Sequence, residues 1–365
     1  MKVTATLMQP GQFSTLASSD QLARTERLIP GWVVRGAFAA AWLSRHAVRE
    51  PSGRFAFARD SDRDDFAAAF ERDVQFGPLF AGEPPLPLSV AGHKYEAGDP
   101  SHRIDLAHRT NPELPETCPH PRCSQRVEGK RGLVDTASDK PPVRTRTSVA
   151  IGPDSTAVKG MLFSRESVES QSVLSGYIHG PDASIDRLAE LPRLRLGGRR
   201  TTQGDASVET DKGCGTHVEP EFTEDGRLVL RLISPAILVD GHGRSVAKPT
   251  DASVSELLDA DVQVSHSWAR WERIGGWHVA SGLPKNTELA VTAGSTFLVQ
   301  SRDGHAITVA SATALLRRGL GLRRHEGFGH LRLTPFQLPH VPDEDRLSAH
   351  VGNDSSLALA AEASA

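Results

Sequence analysis

Apolar and polar positions alternate from Lys2 to Met8, the period-two pattern of a strand with one buried face. After a polar stretch, Gly11 to Arg27, the spacing changes. Ile29-Pro30-Gly31 opens a run rich in small and apolar residues to Leu43, which predicts a helix with Pro and Gly at its mouth. A second helical pattern covers Arg63 to Val74 and stops at Phe76-Gly77-Pro78. From Ala81 to Pro142 the periodicity disappears into Pro, Gly, His and charge, so this stretch reads as an irregular insertion. Strand-like pieces return at Arg144–Ile151, Met161–Phe163 and Val173–Ile178. A short helix, Ile185–Leu191, a Gly/Arg loop from Leu194 to Gly204 and a strand at Ala206–Glu209 complete the first half.

The second half repeats the scheme. Arg227 to Val239 is a strand broken by Ser234-Pro235, and a Trp-rich stretch (Trp268, Trp271, Trp277) leads to Glu288–Thr292 and Thr296–Gln300. The half closes in Arg317 to Leu333, another Gly/Arg loop running into alternating residues. Two halves that each start on a strand and finish on such a loop predict a diverged duplication of an αβ unit. The expected division is a first domain over 1–211 with the insertion at about 81–142, a second over 226–340, and a disordered tail over 341–365.

Composition narrows the function. No apolar run approaches the ~20 residues of a membrane span, and the N-terminus lacks the head, apolar middle and cleavage site of a signal peptide. A cytoplasmic protein is expected. The net charge of −3 argues against coating nucleic acid by bulk electrostatics. Distribution matters more than the total. Of 42 basic residues, 34 are Arg, whose planar fork donates to phosphate in pairs, and several cluster in the glycine-rich loops. Three cysteines, Cys118, Cys123 and Cys214, are too few for a disulfide framework in a chain of 365 residues.

Several motifs taken in order resemble the RAMP superfamily of CRISPR-associated proteins. The first helix, from Ile29-Pro30-Gly31 to Arg35-Gly36-Ala37, resembles the family's first-helix signature. Phe76-Gly77-Pro78-Leu79-Phe80 resembles its segment before the insertion. Lys159-Gly160-Met161-Leu162-Phe163-Ser164-Arg165-Glu166 resembles a further family motif, and Leu196-Gly197-Gly198-Arg199-Arg200 and Gly327-Phe328-Gly329 resemble its two glycine-rich loops. Motif order, with Gly282-Leu283-Pro284-Lys285 and Ala293-Gly294-Ser295, resembles the type III-D RAMP subunit. The resemblance implies an α+β fold of two ferredoxin-like (RRM-like) domains with antiparallel sheets. It also implies CRISPR RNA binding in a type III effector ribonucleoprotein, beside a large polymerase-like subunit and RAMP backbone subunits.

Glycine lets a backbone approach phosphate and turn its N–H groups onto an anion, and arginines beside it add charge. The expected RNA-binding set is Arg35, Gly197, Gly198, Arg199, Arg200, Arg317, Arg318, Gly319, Gly321, Arg323, Arg324, Gly327 and Gly329, the plain alternative being turns with solvated arginines. Cys118 and Cys123, with His120 between them, suit a structural zinc knuckle. His93, where the family resemblance suggests a ligand, completes the expected set of four. Two reduced thiols in a loop are the alternative. Metal-independent RNA cleavage needs a base, for which His46 is the candidate, and a loop carboxylate could come from Asp20 or Asp154. The leading reading is a non-catalytic subunit gripping the five-prime repeat tag. An endoribonuclease is the alternative, and a zinc-stabilised interaction module is the third class.

Overall fold

The computed structural model describes residues 1–13, 22–95, 102–120, 123–129, 140–198, 202–213, 217–278 and 283–338. The chain divides into a large unit, Met1–Leu88 with Asp135–Pro335, and a small unit, Ser89–Val134 with Phe336–Ala365. The expected tail over 341–365, Asp20, Arg199, Arg200 and Cys214 all lie outside the described residues.

The large unit begins with β1 (Lys2–Leu7), whose Val3, Ala5 and Leu7 face the core as the alternation requires. Helix α1 (Gly31–His46) follows, with Val34, Ala37, Phe38 and Trp42 buried along one face. The helical pattern near Arg63 is a helix over Asp60–Ala67 that widens into a π-helical turn over Ala68–Arg72. Strand β2 (Gln75–Phe76) comes next, and then the small unit interrupts the chain.

The chain returns as a long antiparallel hairpin, β3 (Val143–Ile151) and β4 (Ala157–Val168), followed by β5 (Val173–His179), α2 (Asp182–Ala189), β6 (Arg193–Arg195) and β7 (Asp205–Asp211). These strands, apart from the hairpin, form one antiparallel sheet in the order β6-β7-β1-β5-β2.

The second half has β8 (Glu221–Phe222), β9 (Leu228–Arg231), α3 (Asp251–Leu258), β10 (Val262–Trp268), a second hairpin of β11 (Trp271–Ile274) and β12 (Glu288–Val291), β13 (Thr296–Ser301) and α4 (Val309–Arg318). Its sheet runs β8-β9-β13-β10, and Leu331 bridges Leu232 beyond the end of β9. Helices α3 and α4 were not expected from the sequence reading, yet both carry local signals. The Thr250 and Thr308 side chains cap them by accepting from the backbone N–H of Ser253 and Ser311. Val254 and Leu258, then Ala312, Leu315 and Leu316, are buried at helical spacing.

Corresponding backbone hydrogen bonds recur in the two halves. In the first half Gln171 N donates to Leu7 O and Leu7 N to Ser172 O; in the second, Gly294 N donates to Leu232 O and Leu232 N to Ser295 O. Gly11 and Val168 exchange a pair of backbone bonds as Ala236 and Val291 do. Leu196 N donates to Gly204 O at 2.7 Å and Gly204 N to Pro10 O at 2.9 Å, matched by Leu320 N to Gly329 O at 2.9 Å and Gly329 N to Pro235 O at 2.7 Å. Each half therefore folds its Gly/Arg loop back on the chain just after its first strand. Each also inserts a two-stranded arm, β3–β4 or β11–β12, ahead of its third central strand. Buried cores lie under both sheets, one around Phe38, Phe70 and Phe76 and the other around Leu230, Phe297 and Leu315. Among the described residues, no helix is long and apolar enough to cross a membrane.

Candidate nucleic-acid interface and metal centre

The glycines of the two loops first meet their own backbone. A Cβ on Gly204 would lie 1.9 Å from Leu196 O and one on Gly329 1.8 Å from Leu320 O, both at positive φ, so only glycine closes these turns. Gly197 and Gly321 likewise pack against Gln12 O and Ile237 O, while Gly198 faces open space and Gly319 packs on Gly329 O. Gly327 abuts Gly31 at the start of α1, where a Cβ on Gly31 would come within 2.7 Å of the Gly327 Cα. The Trp32 ring stacks on Phe328 with centroids 4.9 Å apart, and the Arg323 guanidinium lies over Phe328 as well, 4.9 Å from its ring centroid. The mouth of α1 is thus filled by the loop that closes the second half.

This arrangement sorts the expected arginines. Arg35 is half-buried, and its Nε donates to Phe70 O at 2.7 Å; burial lowers its pKa, opposed by Glu326 and Glu71. Arg323 pairs with Glu288 and, at 2.7 Å, with Glu326, which also takes Lys285. Burial alone would raise the Glu326 carboxyl, but hydrogen bonds from Arg323 and Lys285 outweigh it and hold the pKa down to about 2. Arg317, Arg318 and Arg324 differ. Among the described residues none of the three forms an ion pair, and Arg317 and Arg318 are exposed at the end of α4. Arg324 Nη1 reaches Arg318 O at 3.5 Å, and burial together with the Arg318 charge lowers its pKa. The negative end of the α4 dipole accounts for part of this clustering. It does not neutralise three guanidinium groups.

The nuclease candidates are placed elsewhere. His46 ends α1 with its ring 4.5 Å from Trp42 and Nδ1 3.7 Å from the buried Asp62 carboxylate. Asp154 sits in the β3–β4 turn, where it accepts from the Thr156 hydroxyl at 2.7 Å and the Thr156 N–H at 3.2 Å, bonds that lower its pKa. That carboxylate is holding the turn. Two features escaped the sequence reading. The β3–β4 arm carries exposed Val149, Ile151, Val158, Met161 and Leu162 beside exposed Arg144 and Arg146, and the Arg144-Thr145-Arg146-Thr147 alternation was its signal. Glu272 on β11 is half-buried and has its pKa raised to about 7, by desolvation first and by Glu26 second; no local motif announces it. His330 is fully buried and pushed down to about 3 by desolvation and by His179, which is itself lowered to about 4.

The small unit brings metal-binding side chains together. Its three-stranded sheet is built from Val90–His93 in the centre, flanked by Ile104–Asp105 and Val127–Gly129. Ligand atoms of His93, His102, Cys118 and Cys123 all lie within 4.8 Å of one another. Cys118 Sγ is 3.4 Å from His102 Nδ1, and Cys123 Sγ is 3.2 Å from His93 Nε2. Three of the four expected ligands meet there. The fourth place is filled by His102, and His120, the expected ligand, packs its ring 4.6 Å from that of His102. Two thiols and two imidazoles are a soft, four-donor set that fits zinc and leaves no open position.

Residues 163–335 match the model of a family of CRISPR-associated proteins, Cas_Cmr3. Over that segment the chain is similar to this family. Among solved structures it is similar to a chain of the type III-B Cmr-beta complex bound to cognate target RNA, at 15% identity and a TM-score of 0.45, covering 91% of this chain and 99% of that one. It is also similar to a chain of the type III-A Csm3–Csm4 subcomplex, at 11% identity and a TM-score of 0.36, covering 81% and 92%. A Cas6-related protein from Pyrococcus furiosus is similar at 9% identity and a TM-score of 0.37, covering 92% and 99%. No curated protein matches the chain.

Proposed function

We propose that the chain is a non-catalytic CRISPR RNA-binding subunit of a type III, III-D-like, effector ribonucleoprotein acting in antiviral defence in the cytoplasm. It grips the five-prime repeat-derived tag and bridges the large polymerase-like subunit to the RAMP backbone. In this reading the two halves, about 1–211 and 226–340, are paired ferredoxin-like (RRM-like) domains. The strand order β7-β1-β5-β2 with α1 and α2 as crossovers, and its counterpart with α3 and α4, supports that description. The observation that carries the RNA reading is the pair of guanidinium side chains, Arg318 and Arg324, whose charges act on each other without an ion pair among the described residues at the loop closing the second half. Like charges held close without an ion-pair partner are relieved by an anion, and a sugar-phosphate chain supplies one at each step. Gly198, with the adjoining Arg199 and Arg200, is the corresponding contact in the first half, and the exposed Trp271 is available to stack on a base. The cofactor in this reading is a structural zinc ion in the small unit.

The test is retention of labelled repeat RNA across a salt series. Wild type is expected to retain the RNA uncut, and Arg318→Ala with Arg324→Ala to weaken binding and reduce the slope of log K against log salt by roughly 1.4, about 0.7 for each single-strand phosphate that is no longer neutralised. Unchanged affinity and slope would overturn the assignment. The endoribonuclease reading keeps one observation, His46 beside Asp62. It would be established instead by discrete products that disappear in His46→Ala.

A further inference from the structure

We propose that the small unit folds around its metal: one zinc ion held by His93, His102, Cys118 and Cys123, with His120 outside the coordination sphere, gives the described residues 89–95, 102–120 and 123–129 their fixed structure. The inference rests on the zinc reading above and adds the ligand set and the coupling of metal to folding.

The four donors come from three pieces of chain that the sequence separates. His93 ends the central strand, His102 stands two residues before the strand Ile104–Asp105, and the cysteines flank a knuckle. That knuckle is closed by Cys123 N donating to His120 O and Cys118 N to Gln125 O, with a bridge between Thr117 and Arg126 behind it. A tetrahedral zinc with bonds of about 2.3 Å to sulfur and about 2.0 Å to nitrogen puts S and N roughly 3.5 Å apart. The two observed S···N separations, 3.4 and 3.2 Å, are close to that value. Two independent thiol–imidazole hydrogen bonds would explain each pair alone. They give no reason for both pairs to converge within 4.8 Å.

What surrounds the quartet explains why a metal is needed. Among the described residues of Ser89–Val134 the buried apolar side chains are Val90, Ala91, Leu106, Ala107 and Val127, besides Cys118. Segments this size with so few core residues are ordinarily held by disulfides or metals, and neither Cys118 nor Cys123 forms a disulfide among the described residues. His93 and Cys118, each 4% exposed, stand where a core residue would. The closed donor set excludes catalysis at this centre, and its sulfur ligands disfavour magnesium and manganese.

The full chain offers a built-in control. All five tryptophans, Trp32, Trp42, Trp268, Trp271 and Trp277, belong to the large unit, so their emission reports that unit, while hydrogen exchange on peptides from 89–134 reports the small one. One zinc per chain is expected by elemental analysis. His93→Ala, His102→Ala, Cys118→Ser and Cys123→Ser should each weaken zinc binding at least ~100-fold, more than typical losses from outer-shell changes, and His120→Ala should retain it. Stripping zinc from wild type with a chelator should abolish exchange protection in 89–134, leave tryptophan emission unchanged, and be reversed by added zinc. A chain without zinc would sink the zinc reading itself. Zinc present but protection unaltered by its removal would leave that reading standing and overturn the folding inference. Zinc lost in His120→Ala and kept in His102→Ala would overturn the ligand set.

Discussion

Replacing Glu272 by Gln isolates the energetic consequence of burying an acid on the second arm. In the folded protein desolvation, reinforced by Glu26, raises the Glu272 pKa from 4.5 to about 7, a difference worth about 3 kcal/mol. Because the folded-state value is the higher one, the protonated carboxyl carries no penalty below pH 4.5. The cost grows as pH rises from 4.5 to 7, because the unfolded chain releases its proton over that range while the folded state keeps it, and it levels off above 7. Gln reproduces the shape of the protonated acid and cannot ionise. Glu272→Gln is therefore expected to leave stability nearly unchanged at pH 4.5 and to raise it by up to about 3 kcal/mol at pH 8.5. The assay is urea unfolding followed by tryptophan emission, with wild type and variant compared at both pH values. Equal differences at the two pH values would refute the argument, since a packing change has no reason to follow a titration.

Two further outcomes follow from the loop that closes the second half. Gly329→Ala places a Cβ against Leu320 O in a left-handed conformation; it should cost roughly 2 kcal/mol or more, read in the same unfolding assay, and a neutral result would show that the turn is not rigid. Burial and His179 lower His330 to about 3, so the stability it contributes as a neutral ring is intact above pH 6.5 and is lost as pH falls toward 3. His330→Asn should flatten the acid limb of the unfolding profile, and an unaltered limb would exclude His330 as its source.

Local pattern carried much of this protein. The alternation of Lys2–Leu7 and the spacing of Val34, Ala37, Phe38 and Trp42 made β1 and α1 legible, because a strand and a helix each expose their period in neighbouring residues. The paired Gly/Arg loops were legible as composition and suggested the duplication. Helices α3 and α4 carried threonine caps and apolar spacing that the reading passed over, and they are short enough for tertiary burial to decide them. The charge state of the loops was not legible. Arg323 pairs with its near neighbour Glu326, but Glu288 also claims it and the Phe70 carbonyl takes Arg35, both through contacts that cross between distant segments.

The metal centre draws the same line more sharply. The sequence determined that two cysteines and several histidines would share a region too poor in apolar residues to build its own core. Proximity along the chain favoured His120. The backbone bonds of the knuckle and the three-stranded sheet instead bring His102 to the thiols and leave the His120 ring tilted beside it. Residue type sets which chemistry is available, but which side chains converge on one point depends on strand pairing between segments far apart in sequence, and that geometry exists only once the chain has folded.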